Sequence, residues 1–223
     1  MESDNINILI ADDHPLIRQA LKNVLAKEPE FHIVGEASNG EEVISMVGEL
    51  KPDVVIMDIS MPKINGLEAT RHIKAEYPNV SILVLTVYDS MEHVLGILEA
   101  GAAGYLTKSV FDKEIIQAIR GVTTGDMVLS KDISVNLLKH ALRYPVQQQT
   151  PELTNKLTTR ELEVLRFAAT GLSNKDIAYR LEVSIGTIKG HLMDIFNKMN
   201  VGSRTEAVIM GIRSGLITLD DLQ

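Results

Sequence analysis

The stretch VVIMDISMPKINGLEA, residues 54–69, is the strongest indication of the fold because it joins a predicted strand to a predicted helix through an acidic turn. Residues 54–57 form a short continuous apolar run, which is typical of a strand in a parallel sheet covered on both faces. Asp58 ends this strand, and a helix is predicted over residues 66–77. The stretch therefore predicts a strand-then-helix unit with a carboxylate at the carboxyl end of its strand.

The same unit recurs on both sides of this stretch. Five strand-then-helix units within about 125 residues predict one doubly wound, flavodoxin-like α/β domain. Its sheet is expected to be five-stranded and parallel, with the strand order 2-1-3-4-5. The other strands are predicted at residues 6–11, 32–37, 81–86 and 104–106, and the other helices at residues 15–26, 40–50, 91–100 and 112–122.

The second half of the chain is predicted to be helical. A helix at about 131–144 precedes PVQQQTPELTN, residues 145–155, whose prolines and glutamines are typical of a linker. Four short helices are expected beyond it, because capping residues mark their starts. The chain thus divides into an α/β domain at 1–125, a linker at 126–154 and a small all-α domain at 155–223. The capping pairs are Thr158 with Glu161, Ser173 with Asp176 and Ser203 with Glu206, and Ser184 is a fourth N-cap.

Charge is distributed unevenly along the chain. The net charge is −8, with −9 in residues 1–125 and +3 in residues 154–215. This split indicates a different partner for each half, although chance variation in surface charge gives the same pattern. The absence of cysteine excludes disulfides and thiolate metal sites. A cytoplasmic protein is predicted, because the N-terminus is acidic and no apolar run approaches about 20 residues.

Chemically active side chains recur where the predicted strands end. Asp12 and Asp13 follow strand 1, Asp58 ends strand 3, Thr86 ends strand 4 and Lys108 follows strand 5. The carboxyl ends of parallel strands form the ligand-binding edge of such a sheet. Three converging carboxylates repel one another unless a cation lies among them, and Mg²⁺ suits such oxygen ligands. Metal and ammonium together could neutralise a phosphoryl group during its transfer to a carboxylate.

Each of these residues also has an ordinary structural interpretation. An aspartate at a strand end is often a turn former or helix cap, and a lone lysine is usually solvated. The coincidence of all five favours a phosphoryl-transfer site over independent structural roles.

Residues 173–199 have the proportions of a helix-turn-helix. One helix is predicted from about 174 to 181 and a second from 184 to about 199. Small or basic side chains at the start of the second helix, among them Thr187, Lys189 and Gly190, would allow close entry into a DNA major groove. A helical protein–protein module remains the alternative, since a few lysines on a helix are usually a solvated face. The candidates for phosphate contacts are Lys175, Arg180 and Lys198.

Residues 6–124 resemble the receiver domain of response regulators. The resemblance is carried by the pair at 12–13, MDISMPKINGLEA, LTVYD and GAAGYLTK. It implies that Asp58 is the phospho-acceptor. It also implies that Mg²⁺ is held by Asp13, Asp58 and the backbone carbonyl of Ser60, with Asp12 contributing through water.

The resemblance further implies a pair of switch residues. At one position the sequence departs from the family pattern. Thr86 would turn its hydroxyl towards the phosphoryl group while the Tyr105 ring moves inward, and Lys108 would bind the phosphoryl group. Ser109 stands where many receivers have proline, which argues against a cis peptide there because cis is costly for a non-proline residue.

Residues 157–209 are similar to the LuxR-type helix-turn-helix, in LTTRELEVL, GLSNKDIA, TIKGH and KMNVGSRTEAV. The whole chain therefore resembles a NarL/FixJ-family regulator. By resemblance, Lys189, Gly190 and Met193 occupy the base-reading positions, and His191 is a packing or phosphate-contact residue rather than a metal ligand. The last helix, over residues 203–214, would mediate dimerisation on DNA while also closing the core.

The expected function is that of a two-component response regulator. A partner histidine kinase would phosphorylate Asp58, and the change would control homodimerisation and binding to palindromic double-stranded DNA. An enzyme acting on an external substrate is not expected. Phosphatases of the haloacid dehalogenase type need a second aspartate two residues after the first, where this chain has Ser60. Self-catalysed phosphorylation and dephosphorylation are the only chemistry expected.

Two regulatory alternatives remain open at this point. One is a phosphorylation-independent DNA-binding protein. The other is a receiver that signals through protein contacts and carries a degenerate helix-turn-helix.

Overall fold

A computed structural model describes residues 5–87, 91–109, 112–130, 133, 157–218 and 221. The N-terminal domain contains a parallel sheet in the order β2-β1-β3-β4-β5-β6. The five predicted strands and their order are confirmed, and a sixth strand extends the sheet. The strands are β1 (Ile6–Ala11), β2 (Phe31–Ala37), β3 (Val54–Met57), β4 (Ser81–Thr86), β5 (Gly104–Thr107) and β6 (Val128–Leu129), and the helices are α1 (Pro15–Leu25), α2 (Gly40–Leu50), α3 (Gly66–Glu76), α4 (Met91–Glu99) and α5 (Asp112–Thr124).

Helices cover both faces of this sheet. On β3, Val55 and Met57 belong to one buried apolar cluster with residues of α2, α3 and α4. Val54 and Ile56 point to the opposite face and join a second cluster with residues of α1 and α5. Burial on both faces explains why the strand sequence is continuously apolar.

Strand β6 lies in the segment predicted to be linker. Val128 and Leu129 pair in parallel with Gly104 and Tyr105 of β5. The chain after α5 therefore begins as part of the sheet and not as a free connection. The predicted helix at about 131–144 lies outside the described residues, apart from the buried Ile133.

The C-terminal domain consists of short helices that begin at the predicted caps. The Thr158 hydroxyl accepts a hydrogen bond from the Glu161 N–H, and the Glu161 carboxylate accepts one from the Thr158 N–H. Serine hydroxyls accept the equivalent N3 N–H bond at the other three helices. These helices are α6 (Thr159–Ala169), α7 (Asn174–Arg180), α8 (Ile185–Met199) and α9 (Arg204–Arg213).

Helix α9 packs against the N-terminal domain. Its Ile209 is buried within the apolar cluster that includes residues of α4 and β5. At the next turn, the Arg213 guanidinium forms an ion pair with Glu99 of α4. None of the described helices combines the length and the apolar character that a membrane span requires.

Candidate functional sites

Three aspartates meet at the carboxyl edge of the sheet. Strands β1 and β3 are neighbours with Ala11 beside Met57, so the residues that follow them lie side by side. The Asp58 N–H donates to the Ala11 carbonyl at 2.8 Å, which fixes the start of the turn. Ligand atoms of Asp12, Asp13 and Asp58 lie within 4.8 Å of one another. The convergence expected from the strand ends is present.

Lys108 joins two of these carboxylates. Its Nζ lies 2.6 Å from Asp12 Oδ2 and 3.2 Å from Asp58 Oδ2. Its backbone N–H donates to the Thr86 carbonyl at 2.8 Å, which holds the lysine at the end of the β4–β5 pair. The Asp12 and Asp58 side chains are 3% and 4% exposed, so the ammonium compensates charge that water barely reaches.

The other face of the cluster has a carboxylate oxygen that lacks a donor. Asp58 Oδ1 is buried and accepts no hydrogen bond from the described part of the chain, while the buried Asp13 Oδ1 lies 2.7 Å from His14 Nδ1. Buried anionic oxygens without donors are costly unless a cation binds them, and a hard cation such as Mg²⁺ prefers oxygen ligands. The donor set therefore fits the predicted metal. Ser60 is exposed at the adjacent turn, and its carbonyl remains a predicted ligand.

His14 belongs to the same cluster and was missed in the sequence analysis. Its Nδ1 lies 2.7 Å from Asp13 Oδ1 and 3.3 Å from Asp12 Oδ1. The sequence signal for His14 is its place directly after two aspartates.

A glycine allows the turn of Asp58 to close. A Cβ at Gly66 would lie 2.2 Å from the Asp58 carbonyl oxygen, closer than any real contact. The Gly66 N–H donates to the Ile59 carbonyl at 2.8 Å, and this hydrogen bond holds the start of α3 against the turn that follows Asp58. Asn65 is the N-cap of this helix, and its side-chain oxygen accepts a hydrogen bond from the Glu68 N–H. The sequence KINGLEA thereby sets the position of Asp58.

The predicted switch pair is buried. Thr86 ends β4 beside Thr107, and its side chain is inaccessible to water. Tyr105 is also fully buried, in the cluster that contains Ile209 of α9 and is flanked by Leu129 of β6. The predicted aromatic switch residue therefore belongs to the same apolar cluster as a residue of the domain contact.

Most of the predicted DNA-contacting residues are exposed. On α8, Thr187, Lys189 and Gly190 are exposed, and Met193 is 55% exposed despite being apolar. A Cβ at Gly190 would meet nothing within 4 Å, so the helix surface is open there. On α7, Lys175 and Arg180 are exposed, and the Arg180 guanidinium lies 5.7 Å from the centre of the Phe167 ring.

Lys198 is the exception among these residues. Its Nζ lies 2.6 Å from both carboxylate oxygens of Glu161, the capping residue of α6. Burial favours a higher pKa for Glu161, but the hydrogen bond and charge of Lys198 and the hydrogen bonds from Thr158 together outweigh burial and hold this pKa below its ordinary value. Glu161, His191 and Asp194 are close enough to bind a metal, but the Glu161 carboxylate is already fully engaged. This group is therefore best explained as structural.

The exposed face of α8 is turned towards the N-terminal domain. Lys189 and Met193 lie one helical turn apart and line a cavity of about 580 Å³. The opposite wall of this cavity includes Thr124 and Gly125, at the end of α5. Lys189 also lines a second cleft of about 940 Å³, whose lining includes Asp53, the residue before β3. In this arrangement the predicted base-reading face looks onto the chain's own sheet domain.

Polar residues at the domain contact were not predicted from the sequence. Asp126 Oδ1 accepts a hydrogen bond from the Asn174 N–H at 2.9 Å and lies 3.6 Å from Arg204 Nη1. Burial lowers the pKa of Arg204 to about 10, although Asp126 opposes this shift. A sequence signal for this contact is Arg204 in the first turn of α9, where the helix dipole disfavours a cation.

Comparison with known proteins matches two separate parts of the chain to two families. Residues 8–120 match the response regulator receiver domain, and residues 155–211 match the bacterial regulatory proteins of the luxR family. The transcriptional regulatory protein DegU of Brevibacillus brevis is 38% identical over 229 residues, with 97% of each chain covered.

Two solved structures extend the similarity to the fold. The response regulator ChrA of a heme-sensing two-component system is 33% identical, with a TM-score of 0.52 over 96% of this chain and all of that one. The RcsB response regulator of Salmonella typhimurium is 26% identical, with a TM-score of 0.58 over 93% of this chain and 98% of that one. With its acidic strand-end site and its capped helix-turn-helix, the chain belongs to the response regulators that join a receiver domain to a LuxR-type DNA-binding domain and control transcription.

Proposed function

We propose that Asp58 accepts a phosphoryl group from a partner histidine kinase, and that this modification controls dimerisation and sequence-specific DNA binding. The observation that supports the proposal most directly is the pairing of Lys108 with Asp12 and Asp58. It leaves one oxygen of Asp58 without a donor on the opposite side, where a metal and an incoming phosphoryl group would bind. We assign residues 1–125 to the receiver, 126–154 to the linker, whose first residues add strand β6 to the receiver sheet, and 155–223 to the DNA-binding domain.

The proposed metal ligands are Asp13, Asp58 and the Ser60 carbonyl, with Asp12 acting through water. Bound there, Mg²⁺ would neutralise charge on the phosphoryl oxygens. Asp58 supplies the attacking oxygen, and the phospho-histidine nitrogen leaves. Lys108 contributes a compact positive charge that can move from the Asp58 carboxylate to the phosphoryl oxygens. Its existing contact with Asp58 means that little side-chain reorganisation is needed.

Phosphorylation changes the electrostatics of the cluster. A carboxylate with one negative charge becomes a phosphoryl group with about two. Lys108 is then drawn away from Asp12, and the Thr86 hydroxyl provides a donor at the end of the neighbouring strand. Because Tyr105 lies in the same apolar cluster as Ile209, a shift of β5 would alter the packing at the domain contact.

The DNA interface is proposed to be the N-terminal half of α8. Lys189, Gly190 and Met193 would face the bases, and Thr187 would lie at the entry to the groove. Lys175, Arg180 and Lys198 would approach the phosphates, Lys198 only after exchanging its contact with Glu161. Because the face with Lys189 and Met193 borders the receiver, binding to the groove requires the two domains to separate.

Helix α9 is proposed as the dimerisation helix on DNA. In the structure its Ile209 is buried against the receiver, so separation of the domains would also make this helix available to a second copy. Two copies would favour a palindromic site with half-sites about one DNA turn apart. Because it would bind chromosomal DNA, the regulator is proposed to act in the bacterial cytoplasm.

The test compares the wild type with Asp58→Ala, using Asp112→Ala as a control for loss of an exposed carboxylate. Oligomeric state is measured by light scattering with Mg²⁺, with and without beryllofluoride. DNA affinity is measured by fluorescence anisotropy on duplexes selected from a random pool. We expect wild type and Asp112→Ala to dimerise and bind DNA more tightly with beryllofluoride, and Asp58→Ala not to respond. Equal binding by all three proteins with no response would instead indicate a phosphorylation-independent DNA-binding protein.

A further inference from the structure

Strand β6 connects the predicted switch strand to the segment that follows the receiver. The Val128 N–H donates to the Ala103 carbonyl at 3.2 Å, and the Ser130 N–H donates to the Tyr105 carbonyl at 3.1 Å. Two backbone hydrogen bonds thus hold this short strand against β5. One of the two acceptors is the switch residue itself, so any shift of the Tyr105 backbone changes the anchorage of β6.

Asp126, two residues before β6, is fixed from the receiver side. Its N–H donates to the Gly121 carbonyl at 2.9 Å, and its Oδ2 accepts the Thr124 hydroxyl at 3.1 Å. These contacts orient the other oxygen, Oδ1, towards the DNA-binding domain. The Asp126 carboxylate is therefore a positioned acceptor and not a freely rotating surface group.

Asn174 of the DNA-binding domain donates two hydrogen bonds to this segment, one to Asp126 and one to Thr124. The Asn174 N–H at the start of α7 bonds to Asp126 Oδ1 at 2.9 Å, and the Asn174 side-chain amide donates to the Thr124 carbonyl at 2.7 Å. Arg204 adds a buried charge 3.6 Å from the same oxygen. Arg204 is held within its own domain by the Ala168 and Leu172 carbonyls, so its position follows that domain.

We propose that β6 and Asp126 couple the state of β5 to the position of the DNA-binding domain. A rearrangement at Tyr105 loosens the β5–β6 bonds, β6 shifts, and Asp126 is withdrawn from Asn174 and Arg204. Losing Asp126 leaves the Arg204 charge buried without its carboxylate, which favours domain separation. The inference rests on the proposed function, because it names the element through which phosphorylation would act.

The alternative route is the apolar contact of Ile209 with the cluster around Tyr105. This contact could transmit a change without β6. The two routes differ in what they require of the backbone at 128–130, and this difference is measurable.

The first experiment measures the DNA affinity of unphosphorylated Asp126→Ala, with Asp112→Ala as the matched control. Both substitutions remove one carboxylate and leave the DNA-binding domain unchanged, but Asp112 is exposed and pairs only with Lys27 among the described residues. Loss of a hydrogen bond and of a charge pair is expected to raise the affinity of Asp126→Ala about tenfold. The gain on adding beryllofluoride should shrink by the same factor. Thermal unfolding of both variants establishes that they are folded.

The second experiment uses the wild type and follows amide hydrogen exchange of residues 128–130, with and without beryllofluoride and Mg²⁺. Coupling through β6 predicts faster exchange on activation. Unchanged exchange in a protein whose DNA affinity rises would overturn the proposal and leave the Ile209 route. Equal affinities of Asp126→Ala and Asp112→Ala would overturn it as well. A wild type whose DNA affinity does not respond to beryllofluoride would count against the proposed function, a result distinguishable from both of these.

Discussion

The Lys108 ammonium lies 3.2 Å from a carboxylate oxygen of Asp58 in a site where that carboxylate is 4% exposed. Replacing Lys108 with alanine leaves buried carboxylates without their cation. We expect Lys108→Ala to lower the free energy of unfolding by about 3 kcal/mol and to slow phosphorylation of Asp58 by a small phosphodonor. Chemical denaturation and phosphate-affinity electrophoresis measure the two effects.

The matched control for this substitution is Lys63→Ala. Lys63 pairs with Glu41 on the surface, where both side chains are 55% exposed, so a change below about 1 kcal/mol is expected. Added Mg²⁺ should restore part of the stability of Lys108→Ala by binding the folded state. Equal unfolding free energies for the two variants would contradict the assigned role of Lys108.

Lys189 is expected to contribute to DNA binding in a way that depends on salt. Lys189→Ala should weaken DNA binding by about 1–3 kcal/mol if the lysine reads a base, and reduce the salt dependence by about one counterion if it contacts phosphate. Affinities measured over a range of salt concentrations separate the two cases. Lys27→Ala, which removes a lysine from the receiver surface, should change neither quantity.

Two glycines are expected to respond oppositely to an added methyl group. Gly66→Ala places a Cβ against the Asp58 carbonyl and should destabilise the receiver by about 1–3 kcal/mol while slowing phosphorylation. Gly190→Ala has open space and lies inside a helix, so it should stabilise α8 by up to about 1 kcal/mol. Thermal unfolding provides the comparison. A loss of DNA affinity in Gly190→Ala would then report on close approach of α8 to DNA.

The pH dependence of stability should reveal the lowered pKa of Lys74, a residue at the domain contact. Burial lowers the pKa of Lys74 from 10.5 to about 8, while Glu206 of α9 opposes the shift. Between these values the unfolded chain binds more protons than the folded one, so stability rises with pH. Relative to Lys74→Met, the wild type should therefore gain stability between pH 8 and about pH 10.5. Urea denaturation of both proteins across this range provides the test, and parallel curves would contradict the shift.

Local patterns were sufficient to predict most of the receiver. The apolar runs at β1, β3 and β4 identify their strands, and strand order then brings Asp12 and Asp58 together. The caps of the helical domain were equally readable, because a cap depends on residues three positions apart.

Features that depend on distant residues were not predictable in this way. Strand β6 has two residues, too few for any periodicity, and exists because Gly104 leaves room for it: a Cβ there would lie 2.8 Å from the Val128 carbonyl oxygen. The contact between Asp126 and Asn174 joins positions 48 residues apart and has no local signature. The same holds for Lys198 and Glu161, whose pairing engages a lysine that the sequence pattern predicted to contact DNA phosphates.

Strand β6 also matters for how the receiver behaves when it is separated from the rest of the chain. With β6 in place, Gly104 and Tyr105 have a paired neighbour on the outer side of β5. A fragment ending at residue 125 would lack that neighbour and present the outer side of β5 as a bare strand edge. Bare edges are templates for pairing with other chains. Self-association of such a fragment could then be mistaken for the dimerisation of the activated regulator, so a receiver fragment for solution work should extend beyond Ser130.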